Sequence, residues 1–147
     1  MPEPPIEGLL IEDNPNDVEM TLYAFEQYRL SNRIHVARDG AEALDFIFGT
    51  GACAGRNVEE VPRVILLDLK LPKVDGIEVL RRLKGDRRTR AIPVVVMTSS
   101  REERDVVETS KLGANSYIVK PLDFAKFTEA VRQVGLYWLL LNQPAVE

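Results

Sequence analysis

A chain of 147 residues with 45% hydrophobic and 29% charged side chains has the balance of one globular domain, which excludes disordered, collagen-like and coiled-coil compositions. Nineteen Lys and Arg against twenty-three Asp and Glu leave a net charge of −4, which argues against nucleic acid or an anionic membrane as the main partner, and no basic tail or stripe is expected to compensate. The single cysteine, Cys53, excludes an intramolecular disulfide and fits a reducing cytoplasm, the N-terminal MPEPPIEG lacks the parts of a signal peptide, and no apolar run approaches the roughly 20 residues of a membrane span.

Along the chain, short apolar β-rich runs alternate five times with segments of helical period. The run Gly8 to Glu12 predicts a first strand. Asp13 or Asn14 can then cap a helix beginning near Pro15, whose inward face is expected at Val18, Leu22 and Phe25. A second strand is expected over Arg33 to Ala37, and a second helix with Ala41, Leu44 and Phe48 inward. Gly49 to Pro62 reads as a long loop, of the kind that is often functional or mobile. Val64 to Leu69 predicts the third strand; Asp75 and Gly76 introduce a helix with Ile77, Leu80 and Leu83 inward. Val94 to Thr98 follows as a fourth strand, then a helical segment with Val106, Val107 and Leu112 that Gly113 should stop. Ser116 to Val119 is the fifth strand, and Phe124, Phe127, Val131, Val134 and Trp138 mark the face of a fifth helix that runs into the tail Tyr137 to Glu147.

Three of the strands are almost continuously apolar, as expected of a parallel sheet covered by helices on both faces. Right-handed crossovers then imply an α/β, flavodoxin-like, doubly wound five-stranded parallel sheet of order 2-1-3-4-5 with five helices. The chain is expected to form a single domain over residues 1–147, with its core at about 6–135 and an extended C-terminal helix and tail over 136–147. In such a sheet all strand ends of one kind lie at one edge. Glu12 and Asp13, Asp68, Thr98 and Lys120 follow or close strands one, three, four and five, so they should converge at the crevice where open α/β sheets bind ligands. Two carboxylates about 5 Å apart repel by roughly 3 kcal/mol at an effective dielectric near 20. A bound cation removes that repulsion, and a site of oxygen ligands favours a hard divalent ion, Mg²⁺ where a phosphoryl group adds further ligands.

Glu12, Asp13, Asp68, Thr98 and Lys120-Pro121, together with LPKVDG at 71–76, resemble the pattern of bacterial response-regulator receiver domains over nearly the whole chain. That pattern is an acidic pair after strand one, a phosphorylated Asp after strand three, Thr or Ser after strand four and Lys-Pro after strand five. The loop 49–62 and the YWLL tail are similar to single-domain regulators that partner phytochrome-type histidine kinases.

The resemblance implies that Asp68 accepts a phosphoryl group from a sensor histidine kinase, a form of carboxylate nucleophilic catalysis. Mg²⁺ would be held by Glu12, Asp13, Asp68 and the backbone carbonyl of Lys70, with Lys120 neutralising the transferring phosphoryl group. Thr98 and Tyr117 would form the switch that remodels a protein-interaction surface. The protein would be a cytoplasmic signalling phosphoacceptor, an enzyme only towards its own phosphorylation and dephosphorylation, with no nucleic-acid or membrane partner and no organic cofactor. Its apolar tail would support a homodimer.

Several residues also have plainer readings. Asp13 and Asn14 can cap the first helix, His35 and Tyr117 can serve packing alone, Cys53 has no partner for chemistry, and Arg101 to Asp105 reads as a solvated helix start. A flavin carrier would need amides and hydroxyls where EDNPNDVE stands. A phosphohydrolase would need a second carboxylate where Lys70 stands. A pseudo-receiver that docks partners without phosphorylation is the remaining alternative.

Overall fold

The computed structural model describes residues 8–27, 34–56, 61–98, 113–114, 116–119 and 123–136. The elements are β1 (Gly8–Ile11), α1 (Pro15–Glu26), β2 (Ile34–Ala37), α2 (Gly40–Phe48), a 3₁₀ turn (Gly51–Cys53), β3 (Val64–Asp68), α3 (Gly76–Gly85), β4 (Val94–Thr98), β5 (Ser116–Val119) and α4 (Phe124–Leu136). All strand pairs are parallel and the order is β2-β1-β3-β4-β5, as expected. The expected helix through Val106, Val107 and Leu112, the stretch Arg101 to Asp105, and the tail from Tyr137 lie outside the described residues. Among the described residues no helix is long and apolar enough to cross a membrane.

Burial of both faces explains the unbroken apolar runs. Alternate strand residues point to opposite sides. Leu9, Ile11, Ile65, Leu67, Val94 and Val96 join Leu44 and Ile47 of α2 and Val79, Leu80 and Leu83 of α3 in one cluster. Leu10, Val64, Leu66, Val95 and Met97 join Val18, Ala24 and Phe25 of α1 and Phe127 of α4 in the other. The sheet is thus the middle of three layers.

Capping places the helices. Asn14, not Asp13, caps α1: its side chain accepts hydrogen bonds from the N–H groups of Asn16 at 2.9 Å and Asp17 at 3.3 Å, with Pro15 in the first turn. Asp39 caps α2 and Asp75 caps α3, accepting from the N–H groups of Glu42 at 2.7 Å and Glu78 at 2.9 Å. The Glu42 N–H holds the Asp39 carboxyl below its ordinary range, and Lys73 beside it acts in the same direction.

Three readings need correction. The buried face of α2 is Gly40, Ala43, Leu44, Phe46 and Ile47, whereas Ala41 and Phe48 are only partly covered. AEALDFIF contains two overlapping apolar stripes, and the sheet takes the one in which Gly40 lets the helix start against the β3–α3 turn. Within the stretch 49–62, the described residues 49–56 also hold more structure than a plain loop. Its 3₁₀ turn packs on α2, and Arg56 reaches back to donate to the carbonyls of Phe46 and Ile47 while lying 4.3 Å over the Phe46 ring. On the other side of this contact His35 stacks on Phe46 with centroids 3.9 Å apart, and burial lowers the His35 pKa. Finally, charge is not evenly spread: Arg81 to Arg90 holds six cations and one carboxylate.

Gly40 has a defined steric reason. A Cβ there would lie 1.8 Å from the carbonyl oxygen of Val74, and the Gly40 N–H donates to the Pro72 carbonyl at 3.3 Å. Backbone cannot yield as a side-chain tip can. Gly40→Ala is expected to destabilise the protein by about 1–3 kcal/mol, the usual scale for overpacking, measured as a fall in the urea midpoint at unchanged slope.

Candidate functional site

β1 and β3 run side by side with Ile11 level with Leu67, so the chain leaving each strand arrives at the same sheet edge. Glu12 continues the ladder one residue beyond β1, its N–H donating to the Ala37 carbonyl at 3.0 Å, and its side chain is fully buried. Its Oε2 accepts from the Asn14 N–H at 3.2 Å, so the chain turning into α1 itself holds this carboxylate. Asp68 is the last residue of β3, is 6% exposed and accepts through Oδ1 from the Lys70 N–H at 3.1 Å. Asp13 stands exposed on the lip.

One carboxylate oxygen from each of Glu12, Asp13 and Asp68 lies within 4.8 Å of the others. Among the described residues this is the one grouping of three metal-ligating side chains so close together. The donors are all hard oxygens, and two of the three carboxylates are removed from water, so the set fits a divalent cation such as Mg²⁺, Mn²⁺ or Ca²⁺ and not a soft metal.

The turn between β3 and α3 is built around this edge. Leu69 donates its N–H to the Met97 carbonyl at 3.2 Å, and Gly76 donates to the Leu69 carbonyl at 3.0 Å. A Cβ on Gly76 would lie 2.4 Å from Leu69 Cα and 2.5 Å from the Asp68 carbonyl oxygen, so only glycine lets α3 begin against the end of β3. Within the turn Lys73 adopts a left-handed conformation, φ 68°, and its Nζ lies 3.3 Å from an Asp39 carboxylate oxygen. That pair ties the turn after Asp68 to the start of α2.

Thr98 ends β4, its backbone level with Val119 of β5. Tyr117 is half-buried in β5, level with Val96 and packed against the α2–α3 cluster. Lys70 is exposed just past Asp68. Lys120 and Pro121 lie outside the described residues, directly after β5 in the chain. The supporting contributions of Asn14 to Glu12 and of Gly76 to Asp68 went unassigned in the sequence. An Asn before a Pro and a Gly after an Asp cap were their only signals.

The family profile described as the response regulator receiver domain matches residues 9–132. A probable methanogenesis regulatory protein, FilR2 of Methanothrix harundinacea, is 42% identical over 141 residues, covering 96% of this chain and 88% of that protein. The solved structure of the bacteriophytochrome response regulator RtBRR is 48% identical with a TM-score of 0.78, covering 97% of this chain and 85% of its own. That of the Mn²⁺-bound form of response regulator Rcp1 is 32% identical with a TM-score of 0.83, covering 96% and 100%. Rcp1 is a protein of Synechocystis sp.. A divalent ion bound by so similar a fold agrees with the oxygen donor set of Glu12, Asp13 and Asp68. With that donor set at the ends of its first and third strands, this chain belongs to the response regulator receiver family, the phosphorylatable signalling modules of two-component systems.

Proposed function

We propose that Asp68 is the phosphoacceptor, taking a phosphoryl group from the histidine of a sensor kinase of the phytochrome type. The observation that carries this reading is a buried carboxylate at the end of the central strand, oriented by the Lys70 N–H and grouped with Glu12 and Asp13. An Asp68 oxygen attacks phosphorus, the N–P bond to the kinase imidazole breaks, and the imidazole nitrogen keeps the bonding pair and is protonated from water. The acceptor is already an anion, so no general base is needed. Glu12, Asp13, Asp68 and the Lys70 carbonyl would hold Mg²⁺, which when bound would neutralise charge on the phosphoryl oxygens. Lys120 and Thr98 contact the same oxygens, and Tyr117 reorients with Thr98 to change the surface around β5. The protein catalyses only its own phosphorylation and dephosphorylation and works as a single receiver domain in the cytoplasm. The kinase type rests on the likeness to RtBRR, named a bacteriophytochrome response regulator. A docking module independent of phosphorylation would have no use for three converging carboxylates.

Asp68→Asn is expected to take up no phosphate from the kinase or from acetyl phosphate while keeping its fold. A stable acyl phosphate found by mass spectrometry on Asp13 or Glu12 of the wild type would overturn the assignment.

Mg²⁺ at ten times its dissociation constant should stabilise the protein by about 1.4 kcal/mol through binding only to the folded state. Asp13→Ala should abolish that gain in thermal unfolding, and an undiminished gain would place the ion elsewhere.

The apolar YWLLL segment at 137–141, outside the described residues, is proposed to pair two chains. Sedimentation of both phosphorylation states should show a dimer that Leu140→Asp weakens. Monomers in both states at micromolar concentrations would remove the proposal.

A further inference from the structure

At the end of α3, on the sheet edge opposite Asp68, lies a groove of about 480 Å³ between that helix, the turn leading to β4 and the end of α2. Its apolar wall is Phe48. The guanidinium carbons of Arg82 and Arg88 sit 5.3 and 5.2 Å from the Phe48 ring centroid, within cation–π range, so two cationic forks are held by one ring. Arg81 lines the same groove.

The charges of this groove are only partly answered. Arg81 pairs with Glu78, and Arg88 pairs with Asp86 at 3.1 Å. Among the described residues Arg82 and Arg90 have no carboxylate partner. The ten residues Arg81 to Arg90 hold six cations and one carboxylate, leaving thirteen cations and twenty-two carboxylates in the other 137 residues. Five of the six cations are Arg, the side chain suited to bidentate binding of carboxylates.

We infer that this groove is a docking site for a short acidic peptide segment of a partner protein, a carboxylate on Arg82, the one lining arginine without a carboxylate partner, and an apolar side chain against Phe48. The polarity of the molecule selects that occupant. A long polyanion such as duplex DNA, or an extended anionic membrane, would meet the field of the strongly acidic remainder of the chain, whereas a short segment samples only the basic end. The groove is shallow and rimmed by exposed arginines, so it suits an extended chain better than a ligand that must be enclosed. Its position leaves the acidic edge clear, so the two sites can be occupied together, and the inference does not depend on the phosphoacceptor assignment.

Fluorescence anisotropy of the full chain at low salt tests this with a labelled ten-residue peptide of Asp and Glu around one central Leu, against the same peptide with Asn and Gln. The acidic peptide should bind saturably and the neutral one should not. Arg82→Glu should weaken binding by about tenfold, since it reverses a charge inside the groove. Lys126→Glu on α4, an exposed site with the same change in net charge, should leave affinity within about twofold. Phe48→Ala should weaken binding severalfold at constant charge. Arg82 is exposed and without a carboxylate partner among the described residues, so its reversal tests the site without unfolding the protein, checked by circular dichroism. The inference is overturned by absence of saturable binding or by equal losses from Arg82→Glu and Lys126→Glu. It is equally overturned by Arg82-dependent binding of duplex DNA or phosphatidylserine vesicles tighter than that of the peptide, or by self-association of the wild type that Arg82→Glu abolishes.

Discussion

Glu12 and Asp68 put two carboxylates beneath the surface at the ends of adjacent strands, with Asp13 close by on the lip. Like charges at such distances repel by roughly 3 kcal/mol at an effective dielectric near 20, and burial denies them water as a remedy. The protein answers with fixed backbone dipoles. The Asn14 N–H is aimed at Glu12 and the Lys70 N–H at Asp68, both by tight turns that leave a strand and enter a helix. Those turns need Asn14 as a cap and Gly76 as a close contact, so local rules at the ends of α1 and α3 serve the same end as the site. The residual repulsion is what a cation relieves, which makes the edge a place where an ion and a phosphoryl group are stabilised together.

The same arrangement brings the site's turn against two neighbouring elements. The turn after Asp68 lies over the start of α2, where Val74 and Pro72 meet Gly40 and Lys73 meets Asp39. A shift of that turn cannot be absorbed by empty space at Gly40. On the other flank Leu69 is tied to Met97 of β4, the strand that ends in Thr98.

Much of this was legible in the sequence because burial on two faces writes itself as unbroken apolar runs. GLLI, VILLD and VVVMT are short, largely β-branched or aliphatic runs that read as covered strands, and parallel pairing follows from the helical segments between them. The convergence of Glu12, Asp13 and Asp68 was legible for the same reason, since strand ends in a parallel sheet share an edge. Less was visible where two patterns overlap or where one side chain reaches far. In α2 the apolar residues form two stripes, and the contact at Gly40 chose between them. Arg56 satisfies carbonyls nine and ten residues away, a relation with no periodic signal. Net charge concealed the basic end of α3, because an average over the whole chain cancels a local excess against distant carboxylates.

The packing of α1 on α4 bears on how the chain comes to be folded. These helices cover one face of the sheet together, yet nearly the whole described sequence separates them, and Phe25 shares its cluster with Phe127. β1, an interior strand made before both of its neighbours, must likewise wait for β3 to fill its second edge. The opposite layer, from β2 through α3, can assemble from neighbours in the chain. During translation α1 therefore stands with its apolar side uncovered until α4 has left the ribosome. In that interval the nascent chain carries uncovered apolar surface, the general condition under which unfinished chains aggregate.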